Sequence, residues 1–414
     1  MIHKDPTAAP NQTLIASPTI TMNFGLVNAV DYRQAHRGNI KSALSRLRQS
    51  ASDSIGRVTS LSELMSARHL VYDVPAYVQP RVFKAKLVDR GTEIRIGASS
   101  GTVAQELGRG AYGVVVLMNG ENQSDGKLAV KGQTDAETLA WEYEILKKVE
   151  SRIEPKLGIQ QNRTNRVFPY PKPIAFAALA AHSGGIMSMT AASNSGLNLV
   201  DVVNVYKVRQ GSSVPELIAL FYATRMMNHL ENLHWHGKIL HCDVKPDNWV
   251  LAGVKDLVLV DFGRAVDLAE LASPRVDAMD VKLVGEAAEK DMQCVAMRKN
   301  RPWSFDADSF GICASLHILL FGDHLEIEQK GKRWMPRKRF RRYWQGELLT
   351  EIFDTLLNSD EGTLIGSRPR SLRSLRKKVE SYLESETRKL EDELGSLERM
   401  LPSNRSHLNP TGKR

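Results

Sequence analysis

Cys242, Cys294 and Cys313 are the only cysteines in 414 residues. Their spacing suits neither a disulfide framework nor a thiolate metal site, which points to a reducing compartment, cytosol or nucleus. Long apolar runs are also missing. The longest, around Ile312–Phe321, is too short to cross a bilayer, and the opening MIHKDPTAAP lacks the apolar core of a secretion signal. The sequence therefore predicts a soluble intracellular protein without membrane contact. What is present, 42% hydrophobic and 25% charged residues, is a globular composition, long enough for two or three domains or one large bilobal one. A net charge of +9 weakly favours acidic partners.

Residues 1–75 are rich in Ser, Thr, Ala, Asn and Arg and carry little periodicity. Such a segment buries too little apolar surface to offset its ordering entropy, so a mostly disordered extension is expected. Ser17-Pro18 and SALSRLRQSASDS read as modification sites or plain solvated tail. From about residue 82 the pattern turns to short alternating runs, RVFKAKLVD, TEIRIGA and GVVVLMNG, which predict strands. AETLAWEYEILKKVE (136–150) predicts a helix with Leu139, Tyr143, Leu146 and Val149 inward. After residue 214 helical periodicity takes over, in VPELIALFYATRMMNHLENLHWHG, SFGICASLHILLFG and GELLTEIFDTLLNS. A β-rich half followed by an α-rich half implies two lobes with a ligand cleft between them. Over 371–401 a stripe of Leu and Val among charges predicts one long amphipathic helix. It either docks on the body or offers its apolar face to a protein partner.

ELGRGAYGVVV holds Gly108, Gly110, Gly113 and Val115 in a G-x-G-x-x-G-x-V spacing, which lets a hairpin approach phosphates closely. A nicotinamide dinucleotide site uses similar glycines but opens directly into a helix, and here VVVLMNG continues as a strand. Ala129 and Lys131 end the next strand-like run. The lysine needs an anionic partner, and Glu137, Glu142 and Glu144 are the candidates on the following helix. Glu142 shares the inward face with Leu139 and Leu146, whereas Glu144 is expected to point away. Further on, HCDVKPDNW carries Asp243, Lys245 and Asn248, and Asp261 opens DFG after a strand. Phosphoryl transfer needs a carboxylate to orient the attacking hydroxyl, hard oxygen ligands for magnesium, and cations on the phosphates. Asp243 suits the first role, Asn248 and Asp261 the second, Lys131 and Lys245 the third. The adenine contact is expected near Met187–Ala192.

Together the glycine loop, A-V-K, H-x-D-x-K-x-x-N and D-F-G resemble the eukaryotic protein-kinase set over roughly residues 82–370. The resemblance implies a bilobal protein-kinase-like α+β fold that uses ATP and Mg2+. It divides the chain into an extension 1–75, a β-rich N-lobe 76–192, an α-helical C-lobe 193–370 and a C-terminal helix with tail 371–414. WEYEIL, HCDVKPDNWVL, VLVDFGRAVDL and DMQCVAMRKNRPWSFDADSFGICASLHILLFG are similar to the Bub-type mitotic checkpoint kinases, and SPTITMNFGLVNAV resembles a Thr-rich element upstream of that kinase domain. That resemblance implies a serine/threonine kinase of the spindle assembly checkpoint, at kinetochores in the nucleus. Histone and kinetochore proteins would be its substrates and checkpoint proteins its partners. Asp308 would brace the catalytic loop backbone.

Three departures carry weight. Cys242 stands where kinases usually place the arginine that pairs with an activation-loop phosphate, so activation is expected not to depend on such a phosphate. Val295-Ala296-Met297 replaces Ala-Pro-Glu, which removes an ion pair that normally ties this segment down. The helical repeat domain that family members use for kinetochore targeting is absent from these residues, so recruitment would work otherwise, or the chain is a shortened relative or a fragment. KGKRWMPRKRFRRYW (330–344), with eight Lys or Arg among four aromatics, reads as a solvated lobe surface or as a polyanion patch. Direct nucleic-acid binding is not expected. The rival to an active kinase is a pseudokinase scaffold in a checkpoint complex.

Overall fold

The computed structural model describes residues 29–42, 71–72, 90–91, 93–96, 99–110, 113–120, 127–158, 167–178, 184–285, 292–358 and 368–403. Strand β1 (Ala29–Asp31) leads into helix α1 (32–42), and the Asp31 carboxylate caps it by accepting the Gln34 N–H at 2.9 Å. There follow β2 (Val71–Tyr72), β3 (Glu93–Ile96), β4 (Ser99–Arg109), β5 (Gly113–Gly120), β6 (Lys127–Gln133), helix α2 (Ala136–Leu157), β7 (Pro173–Ala178) and β8 (Gly185–Thr190). Seven of these strands form one antiparallel sheet in the order β2-β3-β4-β5-β6-β8-β7. Alternation gives that sheet two apolar faces. Val114, Val116, Met118, Leu128, Val130 and Ile186 close a small core on one side, while Ala129, Met187 and Met189 join the main core on the other.

The second lobe is helical: α3 (Leu199–Gln210), α4 (Glu216–Asn232), α5 (Asp306–Phe321), α6 (Gly346–Leu357), α7 (Arg368–Ser385) and α8 (Thr387–Met400). Helix α5 is buried almost all round, which is why its residues read as one apolar run. No helix among the described residues is long and apolar enough to cross a membrane. The whole is a bilobal α+β architecture, β-sheet before α-helices.

Three local expectations change. RVFKAKLVD, Ser17-Pro18 and residues 43–54 lie outside the described residues, as does all but the end of SPTITMNFGLVNAV. Residues 29–42, expected in a solvated tail, instead dock on the body. Their own apolar surface is small, but Tyr32 and Ala35 are buried by the second lobe, so tertiary contact supplies what a short helix lacks. On α2 the buried set is broader than the pattern indicates. Trp141, Ile145 and Glu144 are buried, whereas Tyr143 is half-buried and packs at the edge on Phe176, ring centroids 5.9 Å apart. The single C-terminal helix is two, broken at Glu386, where the Ser385 and Thr387 hydroxyls donate to the Tyr382 and Glu384 carbonyls. Its stripe of Leu372, Leu375, Val379, Leu383, Leu390, Leu394 and Leu397 is buried within the chain, with α7 against α4, so that face is already covered.

Candidate active site

Strand register sets the nucleotide side. Val115, Lys131 and Met187 are cross-strand neighbours on β5, β6 and β8, and Ala129 sits between Leu117 and Met189. The glycine loop is the β4–β5 turn, where Gly108 pairs with Val115 and the Gly110 N–H donates to the Gly113 carbonyl at 2.9 Å. A Cβ on Gly113 would lie 2.6 Å from the Gly132 carbonyl oxygen, so the close approach of β5 to β6 requires glycine there. Lys131 Nζ reaches Glu142 Oε2 at 2.6 Å and Asp261 Oδ1 at 2.9 Å. Burial opposes the lysine's charge, but Asp261 and Glu142 overcome it and hold its pKa above the ordinary value. Burial raises Glu142 in turn, against the pull of Lys131. Lys131 draws the Asp261 carboxyl down to about 2. The Asp261 side chain stays 45% exposed, so one carboxylate oxygen remains open to the cleft.

Two short antiparallel pairs place the catalytic loop. Ile239–Leu240 pairs with Val266–Asp267, and Trp249–Gly253 pairs with Asp256–Leu259. The second pair ends where the Val260 N–H donates to the Asn248 carbonyl at 2.9 Å, which brings Asn248 next to the strand end carrying Asp261. Within the loop Asn248 Nδ2 donates to the Asp243 carbonyl at 2.8 Å and to Asp243 Oδ2 at 3.1 Å, and Lys245 Nζ lies 2.8 Å from the same Oδ2. Beneath it the buried Asp308 accepts the His241 N–H at 2.9 Å and the Cys242 N–H at 2.8 Å, with His234 Nε2 at 2.8 Å. Burial would raise this carboxyl, but those donors keep it below its usual range. Cys242 has φ of 61° and is buried; burial and the Asp308 and Asp243 charges push its thiol pKa up, so it stays protonated.

Val295-Ala296-Met297 is buried as a short helical turn, and the segment is tied by packing and backbone bonds. Trp303, fully buried, pairs with Leu283 and donates its indole N–H to the Gly285 carbonyl at 2.8 Å. The Arg298 guanidinium lies 5.4 Å over the Phe310 ring.

Several contributors escape sequence reading. Strand β1 adds in parallel to Lys282–Val284, Tyr32 donates its hydroxyl to the Arg264 carbonyl at 3.1 Å, and His36 Nε2 lies 2.9 Å from the Gly263 carbonyl oxygen. Asn39 donates to Glu270 at 2.8 Å. Lys148 and Arg152 of α2 both reach Asp267, at 2.9 and 2.8 Å, and so fix the helix that carries Glu142. Arg264 Nη1 stands 3.5 Å from Asp243 Oδ1. No spacing in the sequence announces these pairs, all but Arg264–Asp243 separated by 115 residues or more; for α1 the one available signal was Tyr32, Ala35 and Asn39 on a shared helical face.

Residues 102–325, more than half of the chain, match the family described as "Protein kinase domain". The chain is 29% identical over 318 residues to the mitotic checkpoint serine/threonine-protein kinase BUB1 of Arabidopsis thaliana, covering 71% of this chain and 55% of the relative. With the mouse protein of that name it shares 26% over 301 residues, 69% of this chain and 26% of the relative. With the spindle assembly checkpoint serine/threonine-protein kinase BUB1 of Saccharomyces cerevisiae it shares 29% over 280 residues, 62% and 25% respectively. The chain thus spans about half the length of the plant relative and about a quarter of the other two. A solved BubR1 kinase domain superposes with a TM-score of 0.67 at 21% identity, covering 88% of this chain and 98% of that one, which is a likeness of fold. Fold, cleft and these relatives lead to one conclusion: the chain belongs to the protein kinase domain family and is related to the Bub1/BubR1-type kinases.

Proposed function

We propose that the protein is an ATP- and magnesium-dependent serine/threonine protein kinase. The observation that carries this reading is Lys131 bonded at once to Glu142 and Asp261, across the cleft from an intact Asp243–Lys245–Asn248 cluster. Glu142 fixes the lysine that would hold the nucleotide phosphates. The glycine loop, Val115 and Ala129 would cover the nucleotide. Asn248 and Asp261 are oxygen donors of the kind magnesium takes, one amide and one carboxylate, with phosphates completing the set. When bound, ATP supplies the phosphoryl group and the metal neutralises its phosphates. Asp243 then orients the substrate hydroxyl and accepts its proton as the new P–O bond forms and ADP leaves. Lys245 offsets charge on the transferred group.

The finer reading is a spindle-checkpoint role in the nucleus at kinetochores, with histone and kinetochore proteins as substrates and checkpoint proteins as partners. It rests on the named relatives and the motifs shared with them. Domain limits of 76–192 for the N-lobe and 193–370 for the C-lobe, with the helix and tail at 371–414, belong to the same proposal. A pseudokinase scaffold is the competing reading. Phosphate incorporation into histone with Mg-ATP separates them. Asp243→Asn is expected to lower the rate by about 10²–10⁴-fold, and a wild type no faster than that variant would leave the scaffold standing.

A further inference from the structure

We propose that Arg264 selects substrates: its guanidinium recognises an anionic side chain close to the acceptor serine or threonine. The inference rests on the kinase reading above and adds a substrate class to it. Arg264 directly follows Asp261-Phe262-Gly263 and plays no part in phosphoryl transfer as derived above. Its backbone is pinned. Phe262–Arg264 forms a 3-10 turn, the Ala265 N–H donates to the Phe262 carbonyl at 3.0 Å, and the Arg264 carbonyl accepts the Tyr32 hydroxyl. The side chain leaves this pinned backbone 46% exposed, with Nη1 3.5 Å from Asp243 Oδ1.

That contact is loose. A strong guanidinium–carboxylate bond runs at about 2.7–2.9 Å, and the closer cation on Asp243 is Lys245, at 2.8 Å on the other oxygen. The guanidinium has five N–H donors, and a single loose contact uses few of them. Any acceptor hydroxyl that reaches Asp243 must bring its neighbouring residues past this cation. A neutral or basic neighbour would strip water from Arg264 without replacing it. A carboxylate or phosphate would pair with it and release Asp243 from a competing charge. Arg264 thus sits where it can read the residues beside the acceptor.

The test uses peptides with one serine or threonine on a neutral background, carrying Glu, Gln or phosphoserine at each of the two positions on either side. Wild type should prefer an anion over Gln by about fivefold in kcat/KM at one position at least. Arg264→Gln should bring that ratio to about one, and Arg264→Lys should restore part of it. Ratios within one enzyme cancel any loss of folded protein. Preference for Glu and phosphoserine alike assigns a general anion site, and preference for phosphoserine alone assigns a phosphate site. A wild type without anion preference, or a preference unchanged in Arg264→Gln, overturns the proposal. If no peptide is phosphorylated the kinase reading fails. The same ratios are then read from peptide binding with a non-hydrolysable ATP analogue. There a preference lost in Arg264→Gln upholds the anion site, and equal binding removes it.

Discussion

The catalytic loop hangs from one buried carboxylate of its own lobe, whereas the activation segment is held from elsewhere, by a strand borrowed from Ala29–Asp31 and by the α2 cations Lys148 and Arg152 on Asp267. Asp308 gathers two backbone donors and His234 in a fully buried setting, so the loop's shape is set wherever α5 folds. The activation segment takes its anchors from other parts of the chain: its buried Asp267 is met by Lys148 and Arg152 of α2. Lys282–Val284 completes its edge with Ala29–Asp31, and the Gly263 and Arg264 carbonyls are met by His36 and Tyr32. The first arrangement is internal to the lobe; the second depends on α2 and on whether residues 29–42 are docked. This gives physical content to Cys242. A cation there is dispensable for a segment tethered by packing and by a neighbouring strand.

The largest break in the comparison should come from Asp308→Ala. Three buried donors lose their acceptor, and a cost of about 3–5 kcal/mol is expected in denaturant unfolding. Equal stability of variant and wild type would mean the loop is held by something else. Tyr32→Ala should act on the other region alone. Undocking the segment, at about 2 kcal/mol, would raise hydrogen exchange at Lys282–Val284 about thirtyfold while His241 and Cys242 amides stay protected. Loss of protection at both would join the two regions into one unit.

Acid should weaken the floor beneath the catalytic loop by a comparable amount. His229, which packs on Trp249 with ring centroids 5.9 Å apart, is kept neutral by burial at a pKa of about 4. It binds its proton more readily unfolded, near pH 6.5, so its contribution is full above that pH and falls as pH drops toward 4. About 2 kcal/mol should be gone by pH 5, and His229→Gln should flatten that part of the profile if it folds. The smallest effect belongs to the basic stretch 330–344. Lys338, half-exposed and paired with Asp323, should cost less than about 0.5 kcal/mol on change to Ala. That contrast with Asp308 separates a surface pair from a buried anchor. The aromatics there divide likewise, Trp344 buried and Tyr343 75% exposed.

Much of the cleft was legible because its parts are short and local. A glycine turn, a lysine on a strand, Glu142 on the face of Leu139 and Leu146, and a polar loop after an apolar helix each follow from spacing within a dozen residues. Errors arose where a residue's surroundings come from elsewhere. Glu144 was expected to face solvent but is buried, because neighbouring elements cover more of α2 than its own periodicity shows. The C-terminal leucine stripe left two occupants open, and the chain's own α4 covers it.

By itself the sequence determined the succession of a β-rich and an α-rich half, the two-lobe division and the residue types available for phosphoryl chemistry, since these rest on periodicity and local backbone preference. Only tertiary structure decided that Lys131 meets Asp261 130 residues away, that residues 29–42 seat against the activation segment, and that Arg264 faces Asp243. Each of those contacts depends on how packed elements cross in space. That relation leaves no spacing in the chain to read.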